Sequence, residues 1–310
     1  MGSADTDQKP ERPAHWLNDR EFFFKYMTRD TARAVLSNGT LRWSTPGTLN
    51  DPYDVQFDLR IDVDFEKVKP VALQKLWNAF YGDAPAPVGN KFGLAIRYVR
   101  DQFPKLSREQ FDKEFGEAFE EGFRRGQAAL PDLRREVRNE LAKSKILCLS
   151  ELPDSIQMWT YYAEEHLGVV VRFRSILELD SPFGAARPVR YLADMPRLLD
   201  EDFLSDLISG RITISPEAMI DRMVYTKSQD WGHEREWRIC SGAGRYRDAP
   251  YEDIPFHPLE LSGVLLGCRM SEKDKSEFAA LTHRRYPHAE VLVAERDEQK
   301  FQLNFQNYGL

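Results

Sequence analysis

The sequence predicts an α+β chain with a mixed, mostly antiparallel sheet as its core and a helical insertion at about residues 64–142. Short aromatic or β-branched runs recur at both ends of the chain, as buried strands do. Helices lie between them without the regular alternation of a parallel βαβ fold. A charged block with helical period interrupts the two strand-rich parts. The 310 residues are too many for one ordinary domain and few for two, so one large domain over 16–310 with an insertion is expected, after a flexible polar tail over 1–15.

The elements follow in order. Phe22–Tyr26 reads as a strand. Thr28 or Asp30 caps a helix reaching Leu36, and Gly39 closes it in the left-handed conformation. Leu41–Ser44 is a second strand, and residues 45–54, rich in Pro, Gly, Asn and Asp, form a turn-bearing loop. In the insertion, Val68, Val71, Leu76 and Phe80 mark one helix. Phe92, Ile96, Val99 and Phe103 mark another, stopped at Pro104. Ser107 and Gln110 suit a capping box, and Phe111, Phe115, Phe119 and Phe123 then form one stripe, which packs its helix onto the rest of the domain.

Beyond the insertion, Lys145–Ser150 is a strand and residues 155–165 a short helix. Gly168 releases the strand Val169–Phe173, and Val189–Tyr191 is a further strand. Asp194–Ser209 and Pro216–Tyr225 are helices. Gly263–Gly267 is a strand, Ser271 caps a helix ending near His283, and Ala289–Ala294 is the last strand before a polar tail.

Composition sets limits. Hydrophobic residues are 42% and charged residues 30%, the balance of a globular chain. The net charge of -7 disfavours steering to nucleic acid by the whole surface. Cys148, Cys240 and Cys268 are far apart and form neither a disulfide framework nor a zinc motif; each reads as a small core residue. No apolar run approaches the ~20 residues that span a bilayer, and the N-terminal stretch lacks an apolar signal core. No membrane association and a cytoplasmic location are expected.

The phosphate loop, the dinucleotide fingerprint, the nucleophile elbow and the His-Glu-x-x-His motif are all missing from the sequence. Its densest polar and aromatic stretch is Lys227 to Arg238, with Trp231, His233, Glu234, Glu236 and Trp237. If residues 234–239 are extended, Glu234, Glu236 and Arg238 share one face. Such a row is an ion-pair ladder or part of a site. Aromatic walls with one placed carboxylate suit a flat heterocycle joined to a sugar, because the ring stacks and the carboxylate faces the positive charge that develops as the glycosidic bond breaks. The plainer alternative pairs Glu236 with Arg238 or Arg235 and leaves the tryptophans in the core.

Several pieces together resemble a bacterial family, domain of unknown function 2971. They are Phe24-Lys25-Tyr26; Leu41 to Pro46 with Leu49 to Asp54; Cys148 to Ser150; Met158-Trp159 with Tyr162, His166 and Gly168; and Lys227 with Trp231, Glu234, Glu236, Trp237 and Arg238. That resemblance implies a setting in phage defence or mobile elements. The order of Tyr26, Ser44 and Glu234-x-Glu236 also resembles the ADP-ribosyltransferase fold. It implies NAD as cofactor, with Glu236 stabilising the ribosyl oxocarbenium and Glu234 positioning or deprotonating an acceptor, protein or nucleic acid. Lys25 or Tyr26 stands where those enzymes carry Arg or His. Tyr26 and Tyr162 would orient the nicotinamide beside Trp159, Ser44 would support the glutamate, and Asn50 and Asp54 would order the adjoining loop. Lys227 and Arg238 would take pyrophosphate or supporting roles. Two other readings stay open: a metal-dependent nuclease or phosphodiesterase using Asp51, Asp54 and Glu236 with Lys227 at the phosphate, and a non-enzymatic defence or sensor module without a cleft between Tyr26, Tyr162 and Glu236.

Overall fold

A computed structural model describes residues 13–56, 60–61, 63–81, 91–208 and 216–309. In chain order the elements are β1 (Phe22–Met27), α1 (Arg29–Asn38), β2 (Thr40–Ser44), β3 (Arg60–Ile61), α2 (Phe65–Tyr81), α3 (Lys91–Gln102), α4 (Arg108–Leu141), β4 (Ile146–Ser150), α5 (Ile156–Tyr162) and β5 (Val169–Arg174). They continue as β6 (Arg187–Pro188), β7 (Arg190–Leu192), β8 (Arg197–Leu199), α6 (Glu201–Ile208), α7 (Pro216–Val224), β9 (Thr226–Ser228), β10 (Glu236–Cys240), β11 (Tyr251–Pro255), β12 (Leu261–Leu266), α8 (Glu272–Arg285), β13 (Glu290–Arg296) and β14 (Leu303–Asn307). The fold is α+β with a mostly antiparallel, mixed sheet. Two compact units divide it: residues 1–54, 142–193 and 224–310, and residues 55–141 with 194–223.

The first unit is built on a sheet in the order β11-β2-β4-β1-β5-β12-β13-β14. Among the described residues this sheet has one parallel pair, β12 with β13, and α8 makes the crossover that such a pair requires. Strand alternation sorts the side chains. Phe23, Met27, Val169, Val171 and Phe173 pack on one face with Ala32, Leu36 and Phe278 of the helices. Phe24, Tyr26 and Val170 pack on the other with Met158 and Trp159. Val169, Val170 and Val171 are fully buried, which is why this strand reads as an unbroken apolar run.

Local signals act as the sequence suggests at α1. Thr28 accepts from the Thr31 backbone, and Gly39, at φ 67°, donates to the Val35 carbonyl. At Gly168 the constraint is space: a Cβ there would stand 2.4 Å from the Met27 carbonyl oxygen and 2.7 Å from the Ala163 carbonyl carbon. Both are backbone atoms and cannot swing aside. A Gly168→Ala chain is therefore expected to lose about 1–3 kcal/mol, read as a lower midpoint in urea denaturation.

β4 is the branch point of the sheet. One edge pairs along its whole length with β10, from Glu236 opposite Ser150 to Cys240 opposite Ile146. The other meets β1 only at Ser150 and β2 only at Ile146. A gap is left between these two contacts.

The second unit is mainly helical. Leu73, Leu76, Phe80 and Phe111 form its core, with Trp77, Val99 and Phe115 against it. The phenylalanine stripe of α4 packs on α2 within this unit: Phe111 lies 5.6 Å from Phe80, and Phe123 lies 4.9 Å from Phe65. Ser107 and Gln110 make the reciprocal capping bonds. Val71, expected on the buried stripe of α2, is exposed, because Ala72 and Leu73 supply that contact instead.

Other expectations are corrected. The helix expected over Asp194–Ser209 starts only at Glu201. Asp200 accepts from the Phe203 backbone at 2.7 Å and caps it there, while Pro196 biases the residue before it towards extended backbone, and Arg197–Leu199 pairs with Arg60–Ile61. The polar tail after Arg296 holds a last strand, β14, whose Leu303 and Phe305 alternate with polar residues. Residues 1–12 of the expected flexible tail lie outside the described residues, as do the side chains of Phe92 and Ile96 and residue Ser209. From Trp16 onwards the chain is tied down: Leu17 donates to the Gly184 carbonyl, and Asn18 to that same carbonyl and to those of Phe183 and Ala186.

Candidate active site

The gap beside β4 is a cleft of about 250 Å³ within the first unit. Phe24, Lys25 and Tyr26 of β1, Ser44 of β2 and Ile146, Cys148, Leu149 and Ser150 of β4 form its walls, with Met158 and Tyr162 of α5. Exposed Arg42, Thr48 and Asn50 stand at the mouth, and buried Asp54, Lys227, Glu234 and Glu236 form the floor. The cleft thus joins Tyr26, Lys25, Ser44, Asn50, Asp54, Tyr162, Lys227, Glu234 and Glu236.

Two expected residues stand behind it. Trp159 is fully buried, edge-on to Tyr26 at 5.7 Å, and gives its indole N–H to the Pro153 carbonyl. It fills the core that backs the Tyr26 wall. Arg238 is also fully buried, beneath the carboxylates. Its Nε and Nη2 reach the two Glu236 oxygens at 2.8 Å, Nη1 and Nη2 reach Asp54 at 2.7 and 2.6 Å, and Nη1 also reaches the Val224 carbonyl at 2.8 Å. This uses the planar fork of the guanidinium fully.

The floor is an ion network. The Lys227 ammonium lies 2.6 Å from Glu234, 3.2 Å from Glu236 and 3.3 Å from Asp54. Glu234 also accepts from the Tyr162 hydroxyl at 2.5 Å, and that hydroxyl accepts from the Asn50 amide at 2.9 Å. The Glu234 backbone carbonyl accepts from Ser150, and the Glu236 N–H donates to the Tyr191 hydroxyl. Ser150 and Tyr191 thus support the glutamate segment, the task expected of Ser44. Tyr191 lay within an expected strand, but nothing local marked its hydroxyl.

Glu234 is not on a strand face. It ends a 3₁₀ turn over Gln229–Glu234, and Arg235 is left-handed at φ 46°. The strand begins at Glu236. Simple alternation therefore fails between the two glutamates, and Lys227 brings them together instead.

Their electrostatics diverge. Burial and then the neighbouring Glu236 charge raise the Glu234 proton affinity, and Lys227 and Tyr162 offset this only in part. Glu236 is buried too, but Arg238 and Lys227 outweigh burial and hold it well below the usual carboxylate range. Burial alone would lower the Lys227 ammonium; Glu236, Asp54 and Glu234 reverse that and raise it. Cys148, read as a core residue, lies in the cleft wall, where burial and Glu236 keep its thiol protonated and hydrogen-bonded to Glu236. A Tyr162→Phe chain loses a bond that favours ionised Glu234. Its carboxyl band is expected to titrate at higher pH than in the unaltered chain, as followed by infrared difference spectroscopy.

The carboxylates required for a shared metal ion do converge at Asp54 and Glu236. Their oxygens, however, are occupied by guanidinium and ammonium donors, and Asp51 is engaged with the Tyr53 backbone away from the lining. Among the described residues no set of three His, Cys, Asp or Glu is arranged to hold a metal ion, and no helix is long and apolar enough to cross a membrane.

Fold and site together define an α+β protein whose sheet splits around an aromatic-walled cleft with a buried carboxylate floor. Comparisons with protein-family models, with curated proteins and with solved structures find no match.

Proposed function

We propose that the cleft binds NAD and cleaves its nicotinamide–ribose bond, a reaction of the ADP-ribosyltransferase type. The observation that carries this reading is the pair of floor carboxylates, joined by Lys227 and driven in opposite directions by their surroundings. Such divergence separates the roles of two acids in one site. Glu236 stays ionised and faces the oxocarbenium charge that grows on the ribose. Glu234 holds its proton more readily and serves the acceptor.

The walls fit the same ligand. Tyr26, Phe24, Met158 and Tyr162 offer apolar surface to a flat ring. The Lys25 ammonium spends one hydrogen bond on the uncharged Cys148 carbonyl, at 2.7 Å, and an ammonium has three donors, so it suits the pyrophosphate. Lys227 and Arg238 are matched by carboxylates, and their part is to hold the floor. A filled core, as a scaffold module would have, is at odds with the open space between Tyr26, Tyr162 and Glu236.

The test is titration calorimetry with NAD, followed by chromatography for nicotinamide. Heat of binding and time-dependent nicotinamide release are expected. Absence of both would rule the reading out.

A further inference from the structure

The acceptor in this reaction must reach Glu234, and Glu234 lies on the buried floor of the cleft. Its side chain is 4% exposed. Oε1 is taken by Tyr162 and Oε2 by Lys227. Each carboxylate oxygen has two lone pairs, so each keeps one acceptor position. Because Lys227 ties Glu234 and Glu236 to one floor, a ribose set against Glu236 also covers the approach to Glu234. The cleft, at about 250 Å³, is smaller than the roughly 300–1,000 Å³ of sites that enclose drug-sized ligands. The nicotinamide riboside end of the dinucleotide fills most of it. A macromolecular side chain would have to reach the floor past the bound ribose, whereas a water, with its share of about 30 Å³, is small enough to sit beside Glu234 and the Tyr162 hydroxyl.

We propose that the acceptor is water, so that the cleft hydrolyses the N-glycosidic bond instead of passing ADP-ribose to protein or nucleic acid. This rests on the NAD-cleavage reading above. The C1′–N bond breaks and its electron pair leaves with nicotinamide, which departs neutral. The water oxygen bonds to C1′, and one water proton passes to Glu234, which later releases it to solvent. Glu236 remains ionised throughout. NAD and water thus give nicotinamide, ADP-ribose and a proton. A proton affinity raised by burial and by the Glu236 charge makes Glu234 a stronger base than an ordinary carboxylate.

The experiment incubates the full chain with NAD in the presence of mixed bacterial protein and RNA. Nicotinamide and free ADP-ribose are quantified, and the macromolecules, this chain included, are checked by mass spectrometry. Equal amounts of the two small products are expected. Nicotinamide in excess, with the missing ADP-ribose attached to a macromolecule, overturns the water assignment while leaving NAD cleavage standing. Absence of nicotinamide removes both. In a Glu234→Gln chain that retains NAD binding by calorimetry, release is expected to fall about 10²- to 10⁴-fold. Added azide should restore part of it, because that nucleophile needs no base. Undiminished hydrolysis in this chain overturns the role of Glu234.

Discussion

A Glu236→Gln chain is expected to bind NAD with little change and to release nicotinamide about 10²- to 10³-fold more slowly, the loss typical when one group facing developing charge is removed. The substitution conserves volume and removes one negative charge. The amide oxygen still accepts from Arg238 or Lys227, but the amide nitrogen cannot, so some stability is lost as well, about 1–3 kcal/mol for a buried donor left unmatched. The kinetic signature separates the two effects: kcat falls while KM for NAD stays close to its original value. A second readout is independent of turnover. The Glu236 charge is one cause of the raised Glu234 proton affinity, so in Glu236→Gln the Glu234 carboxyl should titrate at lower pH. An unchanged rate of release would remove Glu236 from the chemistry.

Arg238→Met is expected to cost about 3–5 kcal/mol of folding stability, since it removes the nearer of the two cations that hold the buried Asp54 and Glu236, leaving only Lys227 at 3.3 and 3.2 Å. Asp54 is 2% exposed and Glu236 5%, so water cannot take the place of the guanidinium. Arg238→Lys should recover little. The fork serves Glu236, both oxygens of Asp54 and the Val224 carbonyl, and a single ammonium cannot reach all of them. Urea denaturation measures the loss, and a double-mutant cycle with Asp54→Asn should recover part of it. The pH dependence has a definite sign. Glu236 has a folded value below its ordinary 4.5, so its contribution is present above about that pH and is lost as pH falls towards the folded value. Without Arg238 the folded value rises. The deficit of Arg238→Met should therefore shrink as the pH falls below 4.5 and be greatest near neutrality. A deficit independent of pH would contradict the ion-network account.

Local pattern determined the frame of this protein. The aromatic run of β1, the Thr28 and Gly39 caps, the valine strand after Gly168 and the phenylalanine stripe of α4 were all legible, because caps, alternation and helical period are properties of a few neighbouring residues. The wall residues Tyr26, Ser44 and Tyr162 were legible as candidates by residue type and order. Their meeting was not. It depends on β4 pairing at one end with β1 and at the other with β2, partners more than a hundred residues away along the chain. The exchange of tasks between Ser44 and the pair Ser150 and Tyr191 was hidden for the same reason.

The Lys227–Arg238 stretch marks the boundary between the two kinds of information. Its residue types announced a charged, aromatic site. The left-handed Arg235 that turns Glu234 out of the strand is one backbone choice, and no period reports it. Burial then decided the chemistry: a common Glu-x-Glu tripeptide became two carboxylates shifted in opposite directions, because burial and the neighbouring Glu236 charge raise Glu234 while Arg238 and Lys227 outweigh burial at Glu236. Sequence determined which charged groups were present, while tertiary structure decided which of them lost water and which gained a partner, and proton affinity depends on those two changes.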